Sequence, residues 1–355
     1  MKRKSLTAKR KVSIKKEIKN RKIKDTFNQF KKIIFKNIKK ESFAIAVSGG
    51  ADSLCLAYFS QIYASEFKNN VTTLIVNHNL RNESSKEANE VKKILKSKNI
   101  KSKILSWQGK IPKKNIQGNA RNIRYSLLSK YCYKNKIKFL VTAHHLDDQI
   151  ENFFIRLFRG SGIKGLSSMA ENIDYKDNLK IVRPFLNLKK NNLKCATLDY
   201  FKTYIKDPSN DNEKFLRVRV RKYRDIMKKE GLDSSKIIKT INNLFSANKA
   251  LNFYKNKALY KHATFLSKGK CFINKQIFFD EANEIIFKLF SDVLSLISGD
   301  YYPPRSKKIM NLILRLKKSS YTKSTLGGCV IEKKEGFILI SRELKAKKVT
   351  QQLSR

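Results

Sequence analysis

The sequence predicts an α/β protein: a parallel-sheet domain with helices on both faces, then a helical linker region, then a smaller α+β domain. Three observations predict it. From about residue 42 to residue 159, short β-rich apolar runs alternate with longer amphipathic stretches. Residues 189–266 then read as almost wholly helical and basic, and residues 270–342 mix short strand-like runs with two helical ones. A length of 355 residues accommodates two or three domains with ordinary cores.

Each element follows from its local pattern. Phe43–Val47, Val71–Val76, Ile100–Leu105 and Phe139–Thr142 read as buried strands, being short, rich in β-branched or aromatic residues and bounded by polar ones. Residues 53–67, 84–98, 119–135 and 146–159 read as the intervening helices, and 281–298 and 305–318 as the two C-terminal ones. The strand–helix–strand order implies parallel pairing, and such sheets bind ligands beyond the carboxyl ends of their strands. Chemistry is therefore expected just after residues 47, 76 and 143. The divisions expected are a basic arm over 1–24, a first domain over 25–230, a second over 231–345 and a tail over 346–355.

The composition narrows the partner class. Seventy-eight Lys+Arg against 29 Asp+Glu leave a formal charge of +49. A field of that sign gathers polyanions and disfavours cationic partners. The abundance of Lys, Asn, Ile and Phe is also what AT-rich codons produce, so the charge alone names no ligand. The most apolar stretch, Ile285–Ile297, is interrupted by Lys288 and Asp292 and is shorter than the roughly 18–20 residues of a membrane span. No apolar block of a secretory signal occurs in the first forty residues, and Cys55, Cys132, Cys195, Cys271 and Cys329 are scattered without a CxxC pair. A cytoplasmic chain with reduced thiols and no membrane partner is expected.

Three strand-end loops carry polar chemistry. Ser48-Gly49-Gly50-Ala51-Asp52-Ser53 joins a strand to a helix: the glycines allow a tight turn that brings amide N–H groups against an anion, and the helix N-terminus adds positive potential. It matches neither GxxxxGK[ST] nor GxGxxG. The second loop is Asn77-His78-Asn79-Leu80-Arg81. The third runs from Ala143-His144-His145 through Leu146, Asp147, Asp148, Gln149 and Ile150 to Glu151-Asn152, again from strand into helix. Asp147 and Asp148 fall in the first helical turn, where carboxylates suit the dipole, and Asp148 and Glu151 share a face at i, i+3. Helix capping is the bland reading of these acids, and a hydrogen-bonded loop histidine that of His144 and His145.

SGGADS resembles the PP-loop of the N-type ATP pyrophosphatases, whose fold is Rossmann-like, of the adenine nucleotide alpha hydrolase type. HHLDDQIEN, with Arg156–Gly162 and Gly165-Leu166 after it, is similar to the signature of the tRNA(Ile)-lysidine synthases. So are NHNLR at 77–81, Arg121 with Arg124-Tyr125, RPFL at 183–186, DPSN at 207–210, Arg217, Arg219 and Arg221, PRS at 304–306 and TLGGC at 325–329. The resemblance spans roughly residues 40–342.

It implies a ligase acting on the CAU anticodon of tRNA(Ile). ATP would adenylate the C2 oxygen of the wobble cytidine, and the side-chain amine of L-lysine would displace AMP to give lysidine. The resemblance implies that Ser48, Gly49, Gly50, Ala51, Asp52 and Ser53 hold the ATP phosphates, with Asp52 near the adenylation centre. It further implies that His144 contacts the nucleotide, that Asp148 and Glu151 hold the ammonium groups of lysine, and that Arg124 and Arg217 act on phosphate or developing charge. Mg²⁺ is expected with ATP, its ligands unassigned. The oligomeric state stays open, a homodimer being one option.

Two departures stand out. Glu151-Asn152 replaces the family's Glu-Thr, and the chain stops at Arg355 soon after TLGGC, so the second C-terminal domain of longer relatives is expected to be missing. Rival readings make different demands. A PP-loop cytidine thiolase needs paired cysteines, an amidotransferase needs a glutaminase half beginning with Cys, and a non-enzymatic RNA-binding protein would tolerate loss of Asp52, Asp148 and Glu151.

Overall fold

A computed structural model describes residues 18–80, 83–109, 116–167, 169–206, 216–300, 303–318 and 320–343. Arg81, DPSN at 207–210, residues 1–17 of the basic arm and the tail at 346–355 lie outside the described residues. The chain divides into two compact units, Met1–Ile241 and Asn242–Arg355.

The first unit opens with α1 (Arg21–Ile38), so residues 21–24, grouped above with the arm, form a helical turn. Ile23, Phe27, Phe30, Ile34 and Ile38 recur every three or four residues and are buried, which makes one apolar stripe between outward lysines. Asn20 caps the helix by accepting the Ile23 amide at 3.2 Å. The density of lysine conceals this helix when the segment is read by charge.

The remaining elements of the unit follow the anticipated alternation. β1 (Phe43–Val47), α2 (Ala51–Phe67), β2 (Val71–Asn77), α3 (Ser84–Lys96), β3 (Ser102–Ser106), α4 (Ile116–Lys134), β4 (Phe139–Val141) and α5 (Leu146–Leu157) come first. The short α6 (Ile163–Leu166), β5 (Asn172–Asp174), β6 (Lys180–Val182), α7 (Lys190–Phe201) and α8 (Leu216–Lys229) complete it. The sheet order is β3-β2-β1-β4-β6-β5, parallel throughout except for β5, which pairs antiparallel with β6 at one edge. β5 and β6 are three residues each, too short for a periodicity signal.

Side chains alternate across the central strand. Phe43, Ile45 and Val47 enter a core with α1, α2, α3 and α7, while Ala44 enters a second core with Leu74, Leu140, Ile181 and the α4 residues Tyr125, Leu128 and Cys132. The expected strand at Ile100–Leu105 begins later, at Ser102. Asn99 turns left-handed at φ 59° and the Ile100 amide bonds back to Leu95, so Ile100 plugs the end of α3 instead of pairing. β3 is an edge strand and is only partly buried.

The division between the units falls within α9 (Ser234–His262). The second unit continues with β7 (Ala263–Ser267), β8 (Lys270–Asn274), α10 (Ile277–Asp280), α11 (Asn283–Ser298), α12 (Ser306–Lys317), β9 (Lys323–Leu326), β10 (Cys329–Lys333) and β11 (Phe337–Arg342). Its five-stranded antiparallel sheet, ordered β7-β8-β11-β10-β9, packs on the apolar face of α11. Gly327 and Gly328, at φ 59° and 70°, make the β9–β10 turn. A Cβ on Gly327 would lie 2.4 Å from Pro304 Cγ, which explains why the PRS and TLGG segments belong together.

Phe30 is fully buried among Phe27, Phe59, Tyr63 and Phe185, with ring centroids 5.6–6.4 Å away. Phe30→Ala is expected to cost about 3–5 kcal/mol, read as a fall in the urea midpoint at unchanged m-value.

Candidate active site

The SGGADS loop leaves β1 through Gly49, whose φ of 87° requires a residue without Cβ. The space a side chain would take is filled by Val91, 2.5 Å from an ideal Cβ, and by Ile205, whose amide also bonds Gly49 O at 2.9 Å. Gly50 then caps α2 in an extended conformation with no side-chain partner, which leaves the first-turn amides of the helix to whatever sits in the loop. The Ser53 hydroxyl donates to Gly50 O at 2.9 Å and accepts the Ser48 amide at 3.1 Å. Ser53 therefore holds the shape of the loop, and the Ser48 hydroxyl is the donor in their 3.3 Å contact. Thr197 on α7 anchors the same turn by donating to Ala51 O at 2.6 Å.

β4 is the immediate parallel neighbour of β1, so the loop after it opens at the same sheet edge. His145 caps α5: its Nδ1 accepts the Asp148 amide at 3.4 Å, and the Asp148 carboxylate accepts the His145 amide at 3.1 Å. The Nε2 of His145 reaches Asp52 Oδ2 at 3.4 Å and Asp148 Oδ2 at 3.6 Å, while Nδ1 lies 3.9 Å from Asp147 Oδ2. RPFL supports this corner from β6: Phe185 bridges to His145, and the Gln149 side-chain amide donates to Leu186 O at 2.9 Å.

Charges sort by side. Burial lowers the basicity of His145, but the hydrogen bond to Asp52 and the charges of Asp148, Asp52 and Asp147 outweigh it and raise its pKa. His144, whose Nδ1 lies 2.9 Å from Thr142 Oγ1, is driven well below the usual range by burial and by Arg183, Arg121, Arg217 and Arg124. Two adjacent histidines are thus pushed in opposite directions. Burial resists ionisation of Asp147, yet the Lys190 amide at 3.1 Å and Arg224 at 2.9 Å hold its carboxyl below the ordinary value.

α8 supplies an arginine ladder against α5. Arg221 binds the buried Glu151 through Nε at 2.7 Å and Nη2 at 3.4 Å, and Arg217 Nε lies 4.0 Å from the same carboxylate. Arg217, Arg221 and Arg224 recur at four and three residues and so line one helix face.

The order of motifs along the chain matches more than this geometry. A family model described as a PP-loop domain covers residues 17–229. A tRNA(Ile)-lysidine synthase of Orientia tsutsugamushi is 34% identical over 84% of this chain and 69% of its own length. One of Wolbachia pipientis is 36% identical over 88% of this chain and 74% of its own. The chain belongs to the tRNA(Ile)-lysidine synthases. A solved U34-tRNA thiolase of Methanococcus maripaludis shares 20% identity at a TM-score of 0.54, covering 63% of this chain and 80% of its own, which shows the common fold.

The residues anticipated from sequence fall into two groups. Ser48–Ser53 and the Asp148 turn converge on one edge of the sheet through His145. Glu151 points instead to Arg221 and Arg217, and Arg124 lies on α4 close enough to bias His144. His145, Arg221 and Arg224 are the residues that sequence reasoning left without a role. The i, i+4 and i, i+3 spacing from Arg217 was visible as a helix face, but nothing in sequence paired that face with α5.

Gly49→Ala is expected to destabilise the fold by about 1–3 kcal/mol, since it meets both a left-handed φ and the Val91 side chain. Denaturant unfolding, compared with Gly50→Ala, which has room for a Cβ, checks this.

Proposed function

We propose that this chain ligates the side-chain amine of L-lysine to C2 of the wobble cytidine in the CAU anticodon of tRNA(Ile), using ATP and releasing pyrophosphate and AMP. The observation that carries the reading is the convergence of the SGGADS loop with the histidine–aspartate turn of α5 at one sheet edge, in a chain 34–36% identical to tRNA(Ile)-lysidine synthases.

The chemistry has two displacements. The C2 oxygen of the cytidine attacks the α-phosphorus and the bond to pyrophosphate breaks. The amine nitrogen then attacks C2, the C2–O bond breaks, and AMP departs with the bonding pair. Both steps place negative charge on phosphate oxygens, which preorganised donors and cations stabilise. The free first-turn amides of α2 suit the ATP phosphates. Mg²⁺ would neutralise phosphate charge, and Asp52 fits as its holder: Oδ1 is buried and has no hydrogen-bond partner among the described residues.

His144, held neutral among arginines, suits a hydrogen bond to an uncharged base or ribose edge. Asp148 and Glu151 are the carboxylates for the ammonium groups of lysine. Glu151 is buried and bonded to Arg221, so an ammonium group would have to displace that guanidinium, whereas Asp148 is the more open carboxylate. Arg217, half exposed beside it, is free to reach a phosphate. We place the reaction in the cytoplasm; among the described residues no helix is long and apolar enough to cross a membrane.

The thiolation alternative finds little support in three of the five thiols. Burial pushes Cys132 up to about 12 and Cys271 and Cys329 up to about 11, away from the thiolate form that sulfur chemistry uses.

Incubating the protein with ATP, labelled lysine and a CAU-anticodon tRNA(Ile) transcript is expected to place label at the wobble cytidine with one AMP per label. A folded, RNA-binding preparation that incorporates none would overturn the reading. Asp52→Ala is expected to lower turnover at least 100-fold and to leave tRNA affinity within about threefold. An equal collapse of both would make Asp52 a structural residue.

A further inference from the structure

α9 is a 29-residue helix without a single Asp or Glu. One of its faces is buried: Leu251, Ala258 and Leu259 join the core of the second unit, and His262 is almost fully enclosed. Two lysines on that side are neutralised, Lys255 by Asp292 at 2.5 Å and Lys261 by Asp280 at 2.6 Å.

The opposite face has a different composition. Lys249, Phe253, Lys257 and Tyr260 follow one another at intervals of four, four and three residues, so they form one stripe, with Ser246 and Asn256 beside it. All six are exposed, Phe253 at 57% and Tyr260 at 95%. Among the described residues Lys249 and Lys257 have no acidic partner; each instead lies over an aromatic ring, Lys249 4.8 Å from that of Phe245 and Lys257 5.0 Å from that of Phe253. The helical rise separates these two ammonium groups by about 12 Å along the axis.

Exposed aromatic rings are costly to leave in water, and free lysines between them select for an anionic occupant. A protein partner could supply carboxylates for the lysines, but the acid-free helix in a chain of charge +49 favours a polyanion. RNA supplies both complements: phosphates for the lysines and unpaired bases for the rings. We propose that the Lys249–Phe253–Lys257–Tyr260 face of α9 is a docking surface for an unpaired stretch of the substrate RNA, with a base stacked on Phe253 or Tyr260 and the backbone held by the two lysines. The identity of that RNA as tRNA rests on the function proposed above.

The test measures binding of the full chain to the CAU tRNA(Ile) transcript across a salt series. Phe253→Ala with Tyr260→Ala is expected to weaken binding about 5- to 150-fold at fixed salt with the salt slope unchanged. Lys249→Gln with Lys257→Gln is expected to flatten the slope of log K against log salt by about 1.4–1.8. Phe253→Leu, which keeps bulk without a π face, serves as the second aromatic variant and should also lose affinity. Both double variants should keep the wild-type unfolding midpoint, since their side chains are exposed. Unchanged affinity and slope in both would overturn the inference, as would unchanged RNA binding with lost binding to phosphatidylserine vesicles. If the wild type incorporates lysine while the variants bind tRNA normally, this surface fails alone. If the wild type incorporates none while the variants lose RNA binding, the proposed reaction fails and the surface stands.

Discussion

The active-site edge depends on one imidazole. Asp52 stands at the start of α2, and Asp147 and Asp148 at the start of α5, three carboxylates that would repel one another if nothing lay between them. His145 lies between them, with ring nitrogens 3.4–3.9 Å from all three. The same residue caps α5, so the constraint that balances charge also sets the direction of the helix. RPFL and Gln149 fix the backbone at that corner, and Thr197 and Ile205 fix the facing turn. Burial without these carboxylates would leave His145 neutral, and loss of the imidazole would leave a crowded acidic cluster.

A second balance surrounds the first. Arg221 and Arg224 on α8 meet Glu151 and Asp147 on α5, which ties the arginine ladder to the helix that carries the histidine motif. Arg217 contacts Glu151 only at 4.0 Å, and Arg121, Arg124 and Arg183 add to the positive field at His144. The sheet edge is therefore polarised: an imidazole of raised pKa enclosed by acids on one side, and one of lowered pKa among arginines on the other. Adjacent residues His144 and His145 thus bring an acidic and a basic environment side by side.

Much of the fold was legible because its signals are local. The strands β1, β2 and β4 are apolar runs of limited length, and α2, α3 and α5 follow them, α5 with His145 as its side-chain cap. What was misread or passed over has identifiable causes. α1 hides its apolar stripe under a lysine density that suggests a tail. β5 and β6 are too short to show a period. Ile100 is buried like a strand residue, yet a left-handed Asn99 turns it into a helix plug. The loops carrying Ser48–Ser53 and His144–Glu151 were legible as polar segments at strand ends, since chemistry there needs flexible backbone and charged side chains in the same few residues.

By itself, the sequence determined the class of fold, the edge of the sheet where the polar loops gather and the residue types available there, because these follow from period, length and composition. The +49 charge announced an anionic partner, but it concealed a pocket whose working groups are largely acidic. Only the tertiary structure decided which residues share a contact. Asp52 and His145 are 93 positions apart and meet because β1 and β4 are parallel neighbours; Glu151 and Arg221 are 70 apart and meet because α8 lies along α5. Protonation states follow from those contacts. The same side chain, histidine, has its pKa raised at 145 and lowered at 144 because the sign of its neighbours is a property of the packed chain.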